Sequence, residues 1–332
     1  MDGYSEEKYR IMAENLRETK NKTKNKTKNK TKNKTKNKTK NKTKKFKKLN
    51  CAPNRKKFID DNLQGKTCYG NSELFMLKNY WNKSNPTNLI KSNNPKEIWI
   101  FLKKNLNKKC YNELCWLKNT EFDDPIIKKK IIKKIFRPFS PKSWQVKPFE
   151  WLSSLDIEAV MKQYQRAKKN FVFLGPSPID FDVLDQGFAG GCVYEPLCKF
   201  DLQNYLNSKP RKDKIGIIFN LDPHNKGGSH WVALFIDLIN NYIFYFDSNG
   251  DKIKKEIKVL KDRIISQAIK LNIDLKFYEN KVEHQLKDGQ CGMYCLYFII
   301  ELLQERKTPE DFKKRIPDNL MKDYRIKYYN SS

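Results

Sequence analysis

The sequence predicts an α+β fold, and three features carry that prediction. Short apolar runs of strand type recur through the C-terminal two thirds, at Phe171–Leu174, Ile215–Asn220, Trp231–Ile236, Tyr242–Phe246 and Leu275–Tyr278. Helical patterns interrupt them, the longest at Lys252–Leu271. One stretch, Cys291–Glu305, is apolar nearly all round, through Met293, Leu296, Tyr297, Phe298, Ile299, Ile300, Leu302 and Leu303. A helix with no polar face belongs inside a fold.

The elements follow in order from the N-terminus. From Asn21 to Lys44 the tetrapeptide Asn-Lys-Thr-Lys repeats six times, without a residue able to build a core. Residues 1–50 are therefore expected to be a disordered polybasic tail. They hold 19 Lys/Arg against 5 Asp/Glu, so +14 of the formal +30 lies there and +16 on the rest. Such charge favours non-specific contact with nucleic acid or acidic protein surfaces; a repeat expansion that only solvates the chain is the other reading. The six Asn-Lys-Thr triplets match a glycosylation sequon, which is empty without secretion.

Residues 51–135 read as a small helical domain. Ser72–Trp81 and Pro95–Leu106 have apolar residues at helical spacing, and Pro95 suits a first helical turn. Cys110 and Cys115-Trp116 follow, then a basic link, Lys128–Arg137. The second domain, 136–332, takes shape near Trp144. Ser153 and Asp156 form a capping box ahead of an amphipathic helix carrying Leu155, Ile157, Val160, Met161 and Tyr164.

Eight cysteines invite a disulfide reading, but the N-terminus is acidic and lacks an apolar signal core. No apolar stretch nears the roughly 18 residues of a membrane span. The expectation is a reducing interior, no membrane, and most cysteines buried as small hydrophobes. Zinc is not expected, because there is no C-x-x-C and only three histidines.

Candidate chemistry centres on Cys291. It stands between Gly289 and Gly292, where the buried helix begins. A helix N-terminus favours the thiolate, the nucleophilic form, and glycine admits a substrate backbone closely. Cys295, one turn on, reads as structural. Of the histidines, His224 lies in a polar loop and reads as solvated, and His284 as flanking a substrate groove. His230 opens a strand, and Asp247 ends the next one. A hairpin turning near Asp237–Asn241 brings their open ends together, so that Asp247 could fix the imidazole tautomer. Asn249 is the alternative orienter. Gln285, six residues before Cys291, could join the Cys291 backbone N–H as an oxyanion donor; Gln290 reads as support for the turn.

This set resembles the adenain and SUMO-deconjugating superfamily of cysteine proteases: His230-Trp231, Asp247 seventeen residues on, then Gln285-x5-Cys291-Gly292. Trp151-Leu152 is similar to the family's Trp-Leu segment. The resemblance implies a papain-like/adenain-like core with a central mixed sheet, a buried nucleophile helix and an N-terminal helical arm. It implies a thiol protease needing no cofactor or metal, with Trp151, Trp231 and Gly289 lining a narrow substrate slot. SUMO proteases carry a second acidic residue after Trp-Leu, and here Ser154 stands in its place. The helical extension and Leu174-Gly-Pro-Ser-Pro-Ile-Asp180 look closer to the polyprotein-processing proteases of large DNA viruses, African swine fever virus among them. In that branch the position of Asn249 is an implied orienter. The expectation is an endopeptidase cutting Gly-Gly-Xaa sites in viral structural precursors, in the virion and/or host cytoplasm. Removal of a SUMO-type modifier, acetyl transfer on the same triad and a vestigial basic virion protein are the alternatives.

Overall fold

The computed structural model describes residues 49–55, 67–106, 109–119, 125–184, 191–287 and 289–331. The Asn-Lys-Thr-Lys tail and its sequons lie outside the described residues. Everything described belongs to one unit, Lys45–Ser332.

The N-terminal part is helical: α1 (Asn71–Ser84), α2 (Pro95–Leu106), α3 (Glu113–Asn119) and α4 (Pro125–Ile135). They surround their own apolar cluster, with Tyr69, Leu77, Ile98, Leu102, Trp116 and Ile135 fully enclosed. Glu113 is buried among them, and its carboxylate accepts from Trp99 Nε1 and the Cys68 amide, each at 2.9 Å. A buried carboxylate is tolerable when donors replace its water. The stretch read as a basic link is instead α4. Ile131, Ile132 and Ile135 pack on the cluster, while Lys128, Lys129 and Lys130 stay at the surface on a helix started by Pro125. Its lysines hid the apolar stripe.

The cysteine expectation fails for six of the eight. Cys51–Cys68, Cys110–Cys115 and Cys192–Cys198 are disulfides, with Cα–Cα separations of 5.2, 5.3 and 6.6 Å, and only Cys291 and Cys295 are free. The sequence reading weighed compartment, whereas pairing is decided by which Cα atoms the fold brings within bridging range.

Next comes α5 (Ser154–Ala167), with the expected capping box: Ser153 Oγ accepts from the Asp156 amide at 3.2 Å, and Asp156 Oδ2 accepts from the Ser153 amide at 3.0 Å. Ile157, Val160, Met161 and Tyr164 are buried; Leu155, grouped with them from sequence, is 72 % exposed because it points away from that face.

The remaining elements are β1 (Phe171–Phe173), β2 (Ser177–Pro178), α6 (Glu195–Cys198), α7 (Leu202–Asn207), β3 (Lys214–Asn220), β4 (Trp231–Asp237), β5 (Tyr242–Phe246), α8 (Lys255–Lys270), β6 (Lys276–Glu279), α9 (Cys291–Leu303) and α10 (Asp318–Tyr328). The sheet runs β1-β3-β4-β5-β6, with β2 also on β3. It is mixed: β3, β4 and β5 are antiparallel neighbours, and β1 on β3 and β6 on β5 are parallel. Ile215, Ile217, Val232 and Leu234 face α8, and Ala233, Phe235, Phe244 and Phe246 face α9 and α5. Central strands covered on both faces read as continuous apolar runs rather than alternation. The β4–β5 hairpin turns where expected, with the Asp237 carboxylate accepting from the amides of Ile239 and Asn240 at 3.0 Å each.

Near the C-terminus, buried Asn330 clasps the helical part to the rest. Its side chain accepts from the Asn50 amide at 2.7 Å and donates to the carbonyls of Asn50 and Arg137 at 3.0 and 3.1 Å. Its backbone pairs with Pro138 and Ser140 at 2.8 Å each. Asn330→Ala is expected to destabilise the protein by about 1–3 kcal/mol, measured as a lower urea midpoint at unchanged m-value.

Candidate active site

Helix α9 places the thiol. All thirteen of its residues are buried, and Cys291 is the first of them, 2 % exposed. The first N–H groups of a helix have no intrahelical acceptor. Cys291 therefore meets unpaired donors and the positive end of the helix dipole.

His230 enters from the β4 side, its carbonyl accepting from the Leu221 amide at 2.9 Å. Its Nε2 lies 2.7 Å from Asp247 Oδ1, and Cys291 is the other group whose charge acts on the same ring. Burial alone would lower the imidazole pKa. The hydrogen bonds to Asp247 and Cys291, with their negative charges, overcome it and raise the value to about 10. The charged imidazolium is the form of His230 that this arrangement favours.

Asp247 is fully buried. Its Oδ1 also accepts from the Asn249 amide at 2.9 Å, its carbonyl accepts from Gly250 N at 3.0 Å and Asn280 Nδ2 at 2.6 Å, and Oδ2 has no hydrogen-bond partner. Asn249 itself is exposed, and it meets this group through its main-chain amide. The structure thus brings the Asp247 carboxylate, and not the Asn249 amide, onto His230.

Gln285 is half-buried. Ser248 holds it twice: the Ser248 hydroxyl donates to Gln285 Oε1 at 3.1 Å, and the Ser248 carbonyl accepts from the Gln285 amide at 2.9 Å. With Oε1 occupied, the Gln285 amide nitrogen is the end left to donate. Gln290 is buried at the N-cap of α9. Cys295, fully buried, donates its thiol to the Trp231 carbonyl at 3.2 Å, and burial pushes its pKa well up.

The expected slot residues are split. Trp151 is 47 % exposed and lies against Gly289, whose φ of +86° and contact with Phe149 O leave no room for a Cβ. Trp231 is only 6 % exposed; its Nε1 donates to Leu152 O at 3.0 Å, and its ring lies over Gly292. One tryptophan is at the surface, and the other is buried.

His284 is not a groove residue. It is fully buried, stacked on Phe246, with Nδ1 accepting from the Ile316 amide at 3.0 Å and Nε2 3.2 Å from Asn280 Oδ1. Burial, and then the Arg315 charge, push its pKa down to about 4. Its neutral ring fixes Asn280, which in turn holds the Asp247 carbonyl. His224 is exposed, with Nδ1 2.7 Å from Asp180 Oδ2. Ser248, Asn280 and Arg325 of α10 belong to this neighbourhood and were not singled out from sequence. Ser248 sits inside Asp-Ser-Asn-Gly, which reads as a turn; Asn280 and Arg325 carried no local signal. Among the described residues, no cluster of His, Cys, Asp and Glu could hold a metal ion, and no helix is long and apolar enough to cross a membrane.

Two outcomes follow from this geometry. Gly289→Ala forces a side chain into positive φ against Phe149 O and is expected to cost about 1–3 kcal/mol, with loss of Cys291 labelling by iodoacetamide. For His284 the folded pKa lies below the unfolded value of 6.5, so the unfolded chain binds more protons between pH 4 and 6.5. Thermal stability is expected to fall as pH drops through that window, and His284→Phe to flatten this component of the Tm–pH curve.

Residues 205–332 match the Ulp1 protease family, C-terminal catalytic domain. A protein of Acanthamoeba polyphaga mimivirus, "Putative thiol protease R355", is 33 % identical over 181 residues, covering 53 % of this chain and 54 % of that protein. A SUMO-1 cysteine protease of African swine fever virus (isolate Pig/Kenya/KEN-50/1950) is 24 % identical over 180 residues, covering 52 % of this chain and 66 % of that protein. The chain thus spans about half to two thirds of the length of these curated relatives. The fold is similar to the crystal structure of the selenomethionine form of an African swine fever virus protease: TM-score 0.57, 18 % identity, over 85 % of this chain and 96 % of that one. The match to the Ulp1 catalytic domain spans the segment that carries β3 to β6 and the buried helix α9, and His230, Asp247, Gln285 and Cys291 all fall within it.

Proposed function

We propose that this protein is a cysteine endopeptidase that cuts after small residues, at Gly-Gly-Xaa-type sites in viral structural precursors during virion maturation. The observation that carries the reading is the line Asp247–His230–Cys291, with the thiol at the mouth of α9. Cys291, as thiolate, attacks the scissile carbonyl carbon. The oxyanion accepts from the Cys291 backbone N–H and the Gln285 amide. His230, protonated, gives its proton to the leaving amine, and the C–N bond breaks to leave a thioester. Water, deprotonated by His230, then attacks the thioester, releasing the acid and restoring the thiol pair. Asp247 keeps the ring oriented and stabilises its charge.

Small residues beside the scissile bond are favoured because Cys291 is 2 % exposed and lies between two glycines, under a Trp231 ring packed on Gly292. The basic tail, residues 1–50, would concentrate the enzyme on polyanions such as packaged nucleic acid. Residues 51–135 are the arm and 136–332 the catalytic domain in this scheme. A SUMO-type deconjugase is the second reading; Ser154 lacks the charge expected for gripping SUMO.

The full chain is to be assayed on Gly-Gly-Xaa peptide reporters and on a SUMO-tail reporter, beside Cys291→Ala. Cleavage of the peptides, abolished in Cys291→Ala, is the expected result; preference for the SUMO tail would move the assignment to the second reading. No cleavage of any reporter, with no thiol labelling at Cys291, would sink the protease claim. Asp247→Ala is expected to lower kcat/KM by about 10²–10⁴-fold, and Asn249→Ala by less than about threefold, since only its main chain touches the carboxylate.

A further inference from the structure

Arg325 lies on α10, 34 residues after Cys291 in the chain, yet it reaches the turn that leads into the thiol. It is 5 % exposed. Its Nε donates to Gln290 Oε1 at 3.1 Å, and its Nη2 donates to the carbonyls of Gly289 at 3.1 Å and Glu150 at 2.8 Å. The guanidinium carbon stands 4.4 Å from the centre of the Trp144 ring. Nη1 is buried with no hydrogen-bond partner. One planar group therefore holds the two residues immediately before Cys291 and, on its other side, the residue immediately before Trp151.

These are the two walls of the slot. Gly289 meets Phe149 O and the Trp151 ring directly, so the separation of the walls depends on what fixes the backbone on each side. The Gly289–Gln290 turn combines a positive φ with an N-cap at φ −108° and ψ −4°. Its direction decides where the Cys291 N–H points. A lysine could supply the charge, but it could not hold three acceptors in one plane.

We propose that Arg325 is a positioning residue for the Cys291 site: its guanidinium fixes the Gly289–Gln290 turn and the Glu150–Trp151 wall at the spacing that aligns nucleophile, oxyanion donor and substrate. The proposal rests on the reading of Cys291 as nucleophile. The charge of Cys291 is among those that act on Arg325, with Tyr329, Asp156 and Glu150, although burial dominates and draws the arginine pKa down to about 10. Replacing Arg325 by a neutral residue takes a buried positive charge away from the turn that carries the thiol.

The test uses the full chain as wild type, Arg325→Lys and Arg325→Met. Two quantities are read: kcat and KM on a Gly-Gly-Xaa reporter, and the pH dependence of Cys291 alkylation by iodoacetamide. Arg325→Lys is expected to lower kcat at least about tenfold with KM changed less than about threefold. Arg325→Met is expected to lower it further and to move the alkylation midpoint to higher pH. Wild-type kcat per folded molecule in Arg325→Lys, with an unshifted alkylation profile in folded Arg325→Met, would overturn the proposal. If Arg325→Met does not fold, the kcat of Arg325→Lys decides. A wild type that cleaves no reporter fails the protease reading alone, because the alkylation rate at pH 7 in Arg325→Lys against wild type still reads the turn; equal rates then overturn the proposal.

Discussion

Everything at this site depends on the burial of α9. A helix whose thirteen residues are all buried has no freedom to slide or roll, because each shift would open voids against close-packed neighbours. Its first residue is Cys291, so core packing fixes the sulfur. The ring contacts Phe244–Phe298 and Phe246–Phe298, with centroids 4.9 and 4.7 Å apart, tie the helix to the strand whose end carries Asp247. The hairpin that presents His230 and Asp247 rests on the same helix.

Electrostatics then acts within a frame that cannot relax. His230 is partly buried, which by itself disfavours its charge, and Asp247 is wholly buried, which raises the cost of leaving it unpaired. Pairing the two resolves both costs and gives the ring its tautomer. Further out, neutral His284 and Asn280 brace the Asp247 main chain, and Ser248 fixes Gln285. These residues carry no net charge in their bonded state, so they orient the site without competing for its proton. Arg325 is the exception, a buried cation lying behind the thiol.

How much was legible beforehand varied with the range of the interaction. Five of the six strands, the capping box at Ser153 and the β4–β5 turn were readable because each is set by residues within one turn or one hairpin, whereas the two-residue β2 has no apolar run. The helix α4 was missed because five lysines break up its five isoleucines until tertiary contact shows which side is covered. Leu155 was misplaced by a fraction of a helical turn. The disulfides could not be read, since compartment is a property of the cell and pairing a property of Cα positions. His284 looked like a groove residue from its place near Gln285; only the packing of Phe246 and the Ile316 amide shows it enclosed.

The sequence by itself determined the α+β class, the order His230, Asp247, Gln285, Cys291 and the apolar helix that begins at the thiol, because patterning and spacing are written along one dimension. It left Asp247 and Asn249 as rivals, and strand register does not separate them. Continuing the ladder past Ala233↔Phe246 sets Asn249 across from His230 and Asp247 on the diagonal, both on one face. Only the tertiary structure decided which of them meets the ring. After Phe246 the chain turns, Gly250 N closing onto Asp247 O at φ +77°, and that turn carries the Asn249 side chain out to solvent while the Asp247 carboxylate stays buried against the imidazole.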